Sequence, residues 1–238
     1  MRKGADKLII QEIFKVVYSP LKAFEEIAKA PDFKGVILLF LITLLASVSA
    51  QYVSSSKTLL QAEEGSGTYV PLTATDLFSG RLMLTLTNTS FRFFLNWLIY
   101  GATFLLVLKL FRAKEGSWHK LFILIGYTFI VAAVFVFVSA IFISTFPTIN
   151  FEFETWTKAF LEGDVQAQTL MLQKYENNWV LLPAYQIGSY LFIAVEVWTA
   201  ALGAVAVHSL REVSWNKALI ISTVVAALSF FLRFPLIF

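Results

Sequence analysis

The sequence predicts an all-α integral membrane protein that crosses a bilayer five times. Hydrophobic residues make up 58% of the 238 residues and charged residues only 15%, whereas a soluble domain carries about 25% charged residues. Five apolar runs each approach the roughly 20 residues that a helix needs to cross a hydrocarbon core about 30 Å thick. Most basic residues fall in short segments between these runs. Together, these three observations predict a membrane protein.

The five runs define the predicted spans 35–53, 93–111, 121–146, 179–207 and 218–238. Every backbone N–H and C=O inside lipid must be hydrogen-bonded within the protein, so each run is expected to be a helix. The alternating pattern of a membrane β-strand is missing. We therefore predict a surface segment at 1–34 and a membrane domain at 35–238, with outer loops at 54–92 and 147–178.

The basic segments also predict the orientation of the chain. They lie before the first span, between the second and third spans, and between the fourth and fifth spans, which places them on one side of the membrane. The positive-inside rule makes that side cytoplasmic. We expect the N-terminus inside, the C-terminus outside, and a multi-pass protein of the cell membrane.

Residues 1–34 have the pattern of two amphipathic surface helices. In the first, apolar side chains share one face, and in the second they alternate with lysines and glutamates. Ser19-Pro20 is typical of a helix start, with Ser at the N-cap and Pro at the first helical position. Such helices lie in the membrane interface with lysines toward the headgroups.

The basic side as a whole is the predicted contact face for anionic headgroups or for protein partners. Its candidate residues are Lys15, Lys22, Lys29, Arg112, Lys114, Lys120, Arg211 and Lys217. A homo-oligomer is also left open. Nucleic acid is excluded as a partner because no soluble segment combines a basic stripe with stacking aromatic residues.

Glu196 is the carboxylate that lies well inside a predicted span. A charge there costs about 2.5–3.5 kcal/mol on the insertion scale, so the side chain should face the bundle. A hydrogen-bonded Glu196 that ties helices together, with Tyr127, Ser139 or Asn96 as partner, is favoured. The alternative is a proton- or cation-handling site.

The sequence gives little support for enzymatic or metal chemistry. Cysteine is absent, and no HExxH, Walker A or G-x-S-x-G pattern is present. His208 is expected to act as a cap or headgroup contact. We expect no enzyme activity, no metal and no cofactor. Asn88-Thr89-Ser90 matches the N-glycosylation acceptor pattern and falls on the predicted outer side.

Three segments, taken in order around five spans, resemble the Yip family of Ypt/Rab-interacting membrane proteins, and its prokaryotic branch in particular. They are Tyr18-Ser19-Pro20-Leu21-Lys22-Ala23-Phe24-Glu25-Glu26-Ile27, then Glu115-Gly116-Ser117-Trp118 with Gly126-Tyr127, then His208-Ser209-Leu210-Arg211-Glu212-Val213-Ser214 with Lys217-Ala218. The resemblance implies a five-span membrane scaffold or adaptor linked to membrane organisation or trafficking-like processes. It implies no catalytic residues. The competing hypothesis is a transporter or channel component that uses Glu196.

Overall fold

The computed structural model describes residues 3–61, 68–113, 116–180, 183–211 and 213–233, and it is built mainly of helices. The helices are α1 (Lys3–Tyr18), α2 (Pro20–Lys29), α3 (Phe33–Lys57), α4 (Leu77–Leu110), α5 (Trp118–Thr128), α6 (Ile130–Ser144), α7 (Phe153–Leu161), α8 (Val165–Val180), α9 (Pro183–Arg211) and α10 (Trp215–Arg233). Three short strands are β1 (Thr58–Gln61), β2 (Tyr69–Pro71) and β3 (Ile149–Phe151). The predicted all-α membrane class is confirmed.

Four helical segments in the described residues are long and apolar enough to cross a membrane. They are Phe33–Lys57, Leu77–Leu110, Trp118–Ser144 and Ile193–Arg211. The third joins α5 and α6, which are separated only by a turn at Phe129. A shorter apolar stretch, Trp215–Ser229, lies where the fifth span is predicted. The last part of that predicted span, residues 234–238, lies outside the described residues.

The helices α4 and α9 begin at residues other than the predicted starts of their spans. The helix α4 has 34 residues and begins at Leu77, well before the predicted start at Phe93. Hydropathy identifies only the segment of a helix that is apolar enough to lie in lipid. It therefore does not detect the first part of α4, which lies in the predicted outer loop. The helix α9 begins at Pro183, whose fixed φ suits a first helical position.

The chain divides into two compact units, which are described separately. The bundle unit contains residues 1–44, 88–135 and 193–238, and the sheet unit contains residues 45–87 and 136–192. Four long helices, α3, α4, α6 and α9, contribute residues to both units.

A close approach of α3 and α5 organises the bundle unit. At Gly126, a Cβ would lie 2.7 Å from Val36 Cγ2 and 3.3 Å from Trp97 Nε1. At Gly35, a Cβ would overlap the hydroxyl and ring of Tyr127. Glycine lets helix backbones approach each other closely, as small residues do in membrane bundles. The indole of Trp97 donates a 2.7 Å hydrogen bond to the Phe122 carbonyl and ties α4 to α5.

Several hydroxyl side chains within these apolar helices form hydrogen bonds to backbone carbonyls. The hydroxyl of Thr103 donates to the Ile99 carbonyl at 2.7 Å, and that of Thr128 donates to the Ile125 carbonyl at 2.7 Å. Ser222 of α10 instead donates to the Ala200 carbonyl of α9 at 2.5 Å. In lipid no water replaces a missing partner, so these bonds make hydroxyls acceptable inside the bundle.

The sheet unit holds a small sheet that the sequence pattern does not predict. Strand β1 is central, antiparallel to β2 and parallel to β3. The helices α7 and α8 follow β3, and the side chain of Asp164 accepts a 2.9 Å bond from the Ala167 amide at the start of α8. This is the usual geometry of an N-cap. The Thr58 and Tyr175 hydroxyls lie 2.9 Å apart and link β1 to α8.

The close approach at Gly35 makes a testable stability prediction. Gly35→Ala places a methyl group on the buried Tyr127 ring, and overpacking of this kind costs about 1–3 kcal/mol. Gly80→Ala is the matched control, because nothing lies within 4 Å of a Cβ at that helical glycine. The control should gain roughly 0.5–1 kcal/mol from helix propensity. Thermal unfolding of the full chain in detergent measures both, and equal melting temperatures would contradict the assigned packing.

Candidate headgroup and partner face

The first two helices form a hairpin that packs onto the bundle unit, here called the N-terminal hairpin (residues 3–29). Ile13 and Val16 of α1 are buried, as are Phe24 and Ile27 of α2. They join the core that includes Leu121 and Leu124 of α5. Each fully buried side chain of this size contributes roughly 1.5–3 kcal/mol. The hairpin is therefore seated on the bundle by its own apolar residues.

One polar contact joins the two helices of the hairpin, and another joins the hairpin to α5. The ammonium of Lys15 in α1 forms an ion pair and hydrogen bond with the Glu26 carboxylate in α2. Lys120 of α5 donates to the Ala28 carbonyl at 3.3 Å, near the end of α2. Pro20 takes the first helical position of α2 as predicted, but the Ser19 side chain makes no capping bond. The hairpin is held by contacts between helices, without a side-chain cap at Ser19.

The opposite side of the hairpin carries an exposed apolar stripe. Ile10, Phe14 and Tyr18 are spaced four residues apart on α1 and are 47%, 60% and 75% exposed. Leu21, which follows on α2, is 38% exposed. Residues four apart share one helix face. A water-facing helix would place polar residues there, so this stripe has the character of a surface that meets lipid or a partner.

The predicted basic residues fall into three groups by exposure. Lys22, Lys29 and Arg112 are exposed, while Lys15, Lys120 and Lys217 are half-buried. Arg211 is a correction to the prediction, because it is only 6% exposed. Its guanidinium lies against Gly116, where a Cβ would collide with it. Arg211 therefore packs the loop before α5 instead of presenting charge. Lys114 lies outside the described residues.

Arg112 occupies a special backbone position at the end of α4. Its φ is 47°, and its amide donates to the Lys109 carbonyl at 3.1 Å, while the Ala113 amide donates to the Leu108 carbonyl at 3.0 Å. These two bonds define a Schellman motif, in which the left-handed position is usually glycine. An arginine there projects from the helix end with its charge exposed.

His208 joins the ends of α9 and α10 within the bundle unit. Its Nδ1 lies 2.7 Å from the Val213 carbonyl, so this nitrogen carries the proton and donates. Its ring stacks on Trp215 with centroids 4.0 Å apart. The cap role expected for His208 takes the form of a tie across the short connection that follows α9.

The predicted intramembrane site stays a prediction. Glu196 is half-buried in the middle of α9, and Asn96 is half-buried in α4. The hydroxyl of Tyr127 instead lies 3.5 Å from Glu12 Oε2, at the outer limit for a hydrogen bond. Glu12 lies beside the buried residue Ile13 and one turn before the buried residue Val16. These neighbours are the sequence signal that marks it as a boundary residue.

Packing of the hairpin on the bundle shifts the pKa of Glu12. Burial raises the pKa of its carboxyl above the ordinary value of 4.5, and the nearby Asp32 and Glu26 carboxylates raise it further. The Tyr127 hydroxyl and the Lys15 ammonium act in the opposite direction but do not cancel the rise. The folded hairpin therefore favours protonated Glu12.

The last two predictions from the sequence concern glycosylation at Asn88 and metal binding. Asn88 is exposed but lies inside the regular helix α4, so it lacks the surface-loop setting of a glycosylation acceptor. Within the described residues, no group of three or more His, Asp or Glu side chains could hold a metal ion.

The helices and the apolar spans define the class of this chain as a multi-pass α-helical membrane protein. The Yip1 domain profile matches residues 14–234, and the chain belongs to the Yip family. The match begins inside α1, so it includes most of the N-terminal hairpin as well as the spans. Searches of curated proteins and of solved structures gave no match.

The raised pKa of Glu12 predicts a pH dependence of stability. A carboxyl whose folded pKa is raised contributes stability that is fully present below about pH 4.5 and is lost as the pH rises through the folded pKa. Glu12→Gln should remove this contribution, so the melting temperature of the parent should fall relative to the variant as the pH rises from 4 to about 7. Glu25→Gln removes an exposed carboxylate of α2 and is the control. If the melting temperatures of the parent and Glu12→Gln changed with pH in parallel, the raised pKa assigned to Glu12 would be refuted.

The His208 tie predicts a loss of stability without loss of helix. His208→Ala removes a hydrogen bond worth about 0.5–1.5 kcal/mol and a ring stack of about the same value. His208→Phe should restore part of the stability because it keeps the stack. His119→Ala, at an exposed position in α5, should change stability by no more than about 0.5 kcal/mol. If His208→Ala and His119→Ala lowered the melting temperature equally, the assigned contacts of His208 with Val213 and Trp215 would be contradicted.

Proposed function

We propose that this protein is a multi-pass membrane scaffold or adaptor of Yip type whose N-terminal hairpin rests on anionic headgroups at the cytoplasmic face of the cell membrane. The observation that carries the proposal is the two-sided hairpin. One side is buried in the bundle unit, and the other combines the exposed stripe Ile10, Phe14 and Tyr18 with exposed lysines. Interfacial helices have this combination of apolar and basic residues.

The two sides of the hairpin have different tasks in this proposal. The buried side, with Phe24 and Ile27, fixes the position of the hairpin relative to α5. The apolar stripe enters the headgroup region, while Lys22 and Lys29 meet lipid phosphates. Each Lys near an anionic surface is worth about 1 kcal/mol. Lys15 contributes less to headgroup binding because Glu26 already neutralises it.

The scaffold role is based on the basic surface that the hairpin exposes. A helix pair held rigidly against a membrane bundle offers a fixed basic surface to partner proteins or lipids. One of the segments that resemble the Yip family, Ser19-Pro20, is the turn of this hairpin. Another, His208 to Lys217, joins α9 to α10 and contains the His208 bond to Val213. Membrane organisation or trafficking-like processes would use such a surface for recruitment.

The headgroup contact can be tested on the full chain in nanodiscs. The protein has no cysteine, so Tyr18→Cys carries a unique environment-sensitive fluorophore on the apolar stripe. We expect a larger blue shift with phosphatidylglycerol than with phosphatidylcholine, and Lys22→Glu with Lys29→Glu should abolish the difference. Loss of two lysines alone removes about 2 kcal/mol, and charge reversal removes more.

The control is Lys158→Glu, which reverses an exposed lysine of α7 in the sheet unit. It should leave the response to phosphatidylglycerol unchanged. High salt should weaken the response of the parent, because exposed charges are screened over about 8–10 Å at physiological ionic strength. An identical emission shift in both lipids for the parent protein would remove the headgroup role.

A further inference from the structure

The sheet unit contains two adjoining cavities with volumes of about 480 and 760 Å³. Both are lined by Leu60, Asp76 and Leu77. Volumes of this size fall within the range of roughly 300–1,000 Å³ that is typical of sites for small ligands. No residue of the N-terminal hairpin contributes to either cavity, so an inference about them is independent of the headgroup face.

The walls of the smaller cavity are mainly apolar and come from several elements. Their apolar residues are Leu60, Leu72, Leu77, Leu84, Phe151 and Leu172. The opposite wall is fixed by Tyr175, whose hydroxyl lies 2.9 Å from that of Thr58 and whose ring meets Phe151 with centroids 5.1 Å apart. A cavity with mainly apolar walls suits a hydrocarbon chain.

The position of the cavity along α4 indicates where such a chain would come from. A helix of 34 residues is about 50 Å long at 1.5 Å per residue, whereas the hydrocarbon core is about 30 Å thick. The first turns of α4 can therefore extend past the hydrocarbon, and they supply Leu77 and Leu84 to the cavity. Met83 and Leu84 are also 64% and 62% exposed. Leu84 therefore opens one side of the cavity to the surroundings of α4.

The charges at the cavity are of both signs. Asp76 and Arg81 line the smaller cavity, while Lys158 and Glu162 line the larger one with Asp76. The two carboxylates and the two cations balance, so they give an anionic headgroup no net attraction, whereas a zwitterionic headgroup offers an ammonium to Asp76 and a phosphate to Arg81. Guanidinium is well suited to phosphate.

We infer that the sheet unit binds a zwitterionic phospholipid from the adjoining leaflet, with one acyl chain in the cavity between β1, α4 and α8. The headgroup lies between Asp76 and Arg81, and the larger cavity leaves room for the rest of the lipid. The sheet unit is then a lipid-binding element, in addition to the headgroup face proposed for the hairpin.

The test uses the full chain in nanodiscs that contain phosphatidylcholine with a photoreactive group near the end of one acyl chain. After illumination, mass spectrometry maps the cross-linked peptides. Cross-links should appear in the peptides that contain Leu60 and Leu172, and unlabelled phosphatidylcholine should compete better than phosphatidylglycerol. Better competition by phosphatidylglycerol would overturn the assignment of a zwitterionic headgroup.

Gly80 provides a matched pair of variants. It lines the smaller cavity, and nothing lies within 4 Å of a Cβ built there. Gly80→Phe should fill the cavity and reduce these cross-links about tenfold, which corresponds to 1.4 kcal/mol. Gly80→Ala adds only one methyl group and should reduce them much less. Equal labelling of the two variants would overturn the proposal.

A second pair on α8 keeps the test decisive if Gly80→Phe does not fold. Leu172 lines the cavity, whereas Leu170 on the same helix does not line either cavity and is 58% exposed. Leu172→Gln should weaken cross-linking to the Leu60 peptide, and Leu170→Gln should not. Cross-links that are confined to the membrane-spanning helices in all variants would also overturn the inference.

Discussion

The close approach of α3 and α5 is the constraint on which the bundle unit depends. Two glycines make it possible, because at Gly126 there is no space for a side chain beside Val36, and at Gly35 the space is filled by the Tyr127 ring. Apolar side chains gain little from leaving lipid for protein, so membrane helices associate through close packing and hydrogen bonds. The pair of glycines supplies the close packing. Tyr127, fixed between the helices, then reaches Glu12 of the hairpin.

The N-terminal hairpin shows how an amphipathic pattern can have two apolar surfaces. The usual interpretation assigns one apolar face to lipid and one polar face to water. Here one apolar face, with Ile13 and Val16, is buried by protein, and a second, with Phe14 and Tyr18, is exposed. A hairpin that floated freely on the membrane would need only one such face. The first apolar face makes the hairpin a part of the bundle, and the second is the face that the proposed headgroup contact would use.

Much of the fold could be predicted from the sequence because the strongest signals are local. Long apolar runs predict helices, and Ser19-Pro20 marks a helix start that is seen at Pro20. The small sheet could not be predicted, since β1 pairs with β3 from a segment almost ninety residues away. Its strands have three or four residues, too few for a periodic pattern to be recognised.

The candidate site was only partly predictable for the same reason. Exposure of Lys22 and Lys29 follows from their place on an amphipathic helix. The burial of Arg211 does not, because it depends on Gly116 in a loop that is distant in sequence. Similarly, the contact of the Tyr127 hydroxyl with Glu12 of the hairpin does not follow from the place of Tyr127 in a predicted span. Sequence spacing within a helix fixes which face a residue occupies, but it does not fix which other helix covers that face.

The proposed headgroup contact would couple the exposed side of the hairpin to its buried side through the protonation of Glu12. Seating of α1 on the bundle favours the protonated carboxyl, because burial and the carboxylates of Asp32 and Glu26 raise its pKa. An anionic membrane surface has a negative potential of about 30 mV, which concentrates protons beside it. The surface that Lys22 and Lys29 would bind is thus one where Glu12 would be more readily protonated. In the proposed function, contact with anionic headgroups and seating of the hairpin would therefore reinforce each other.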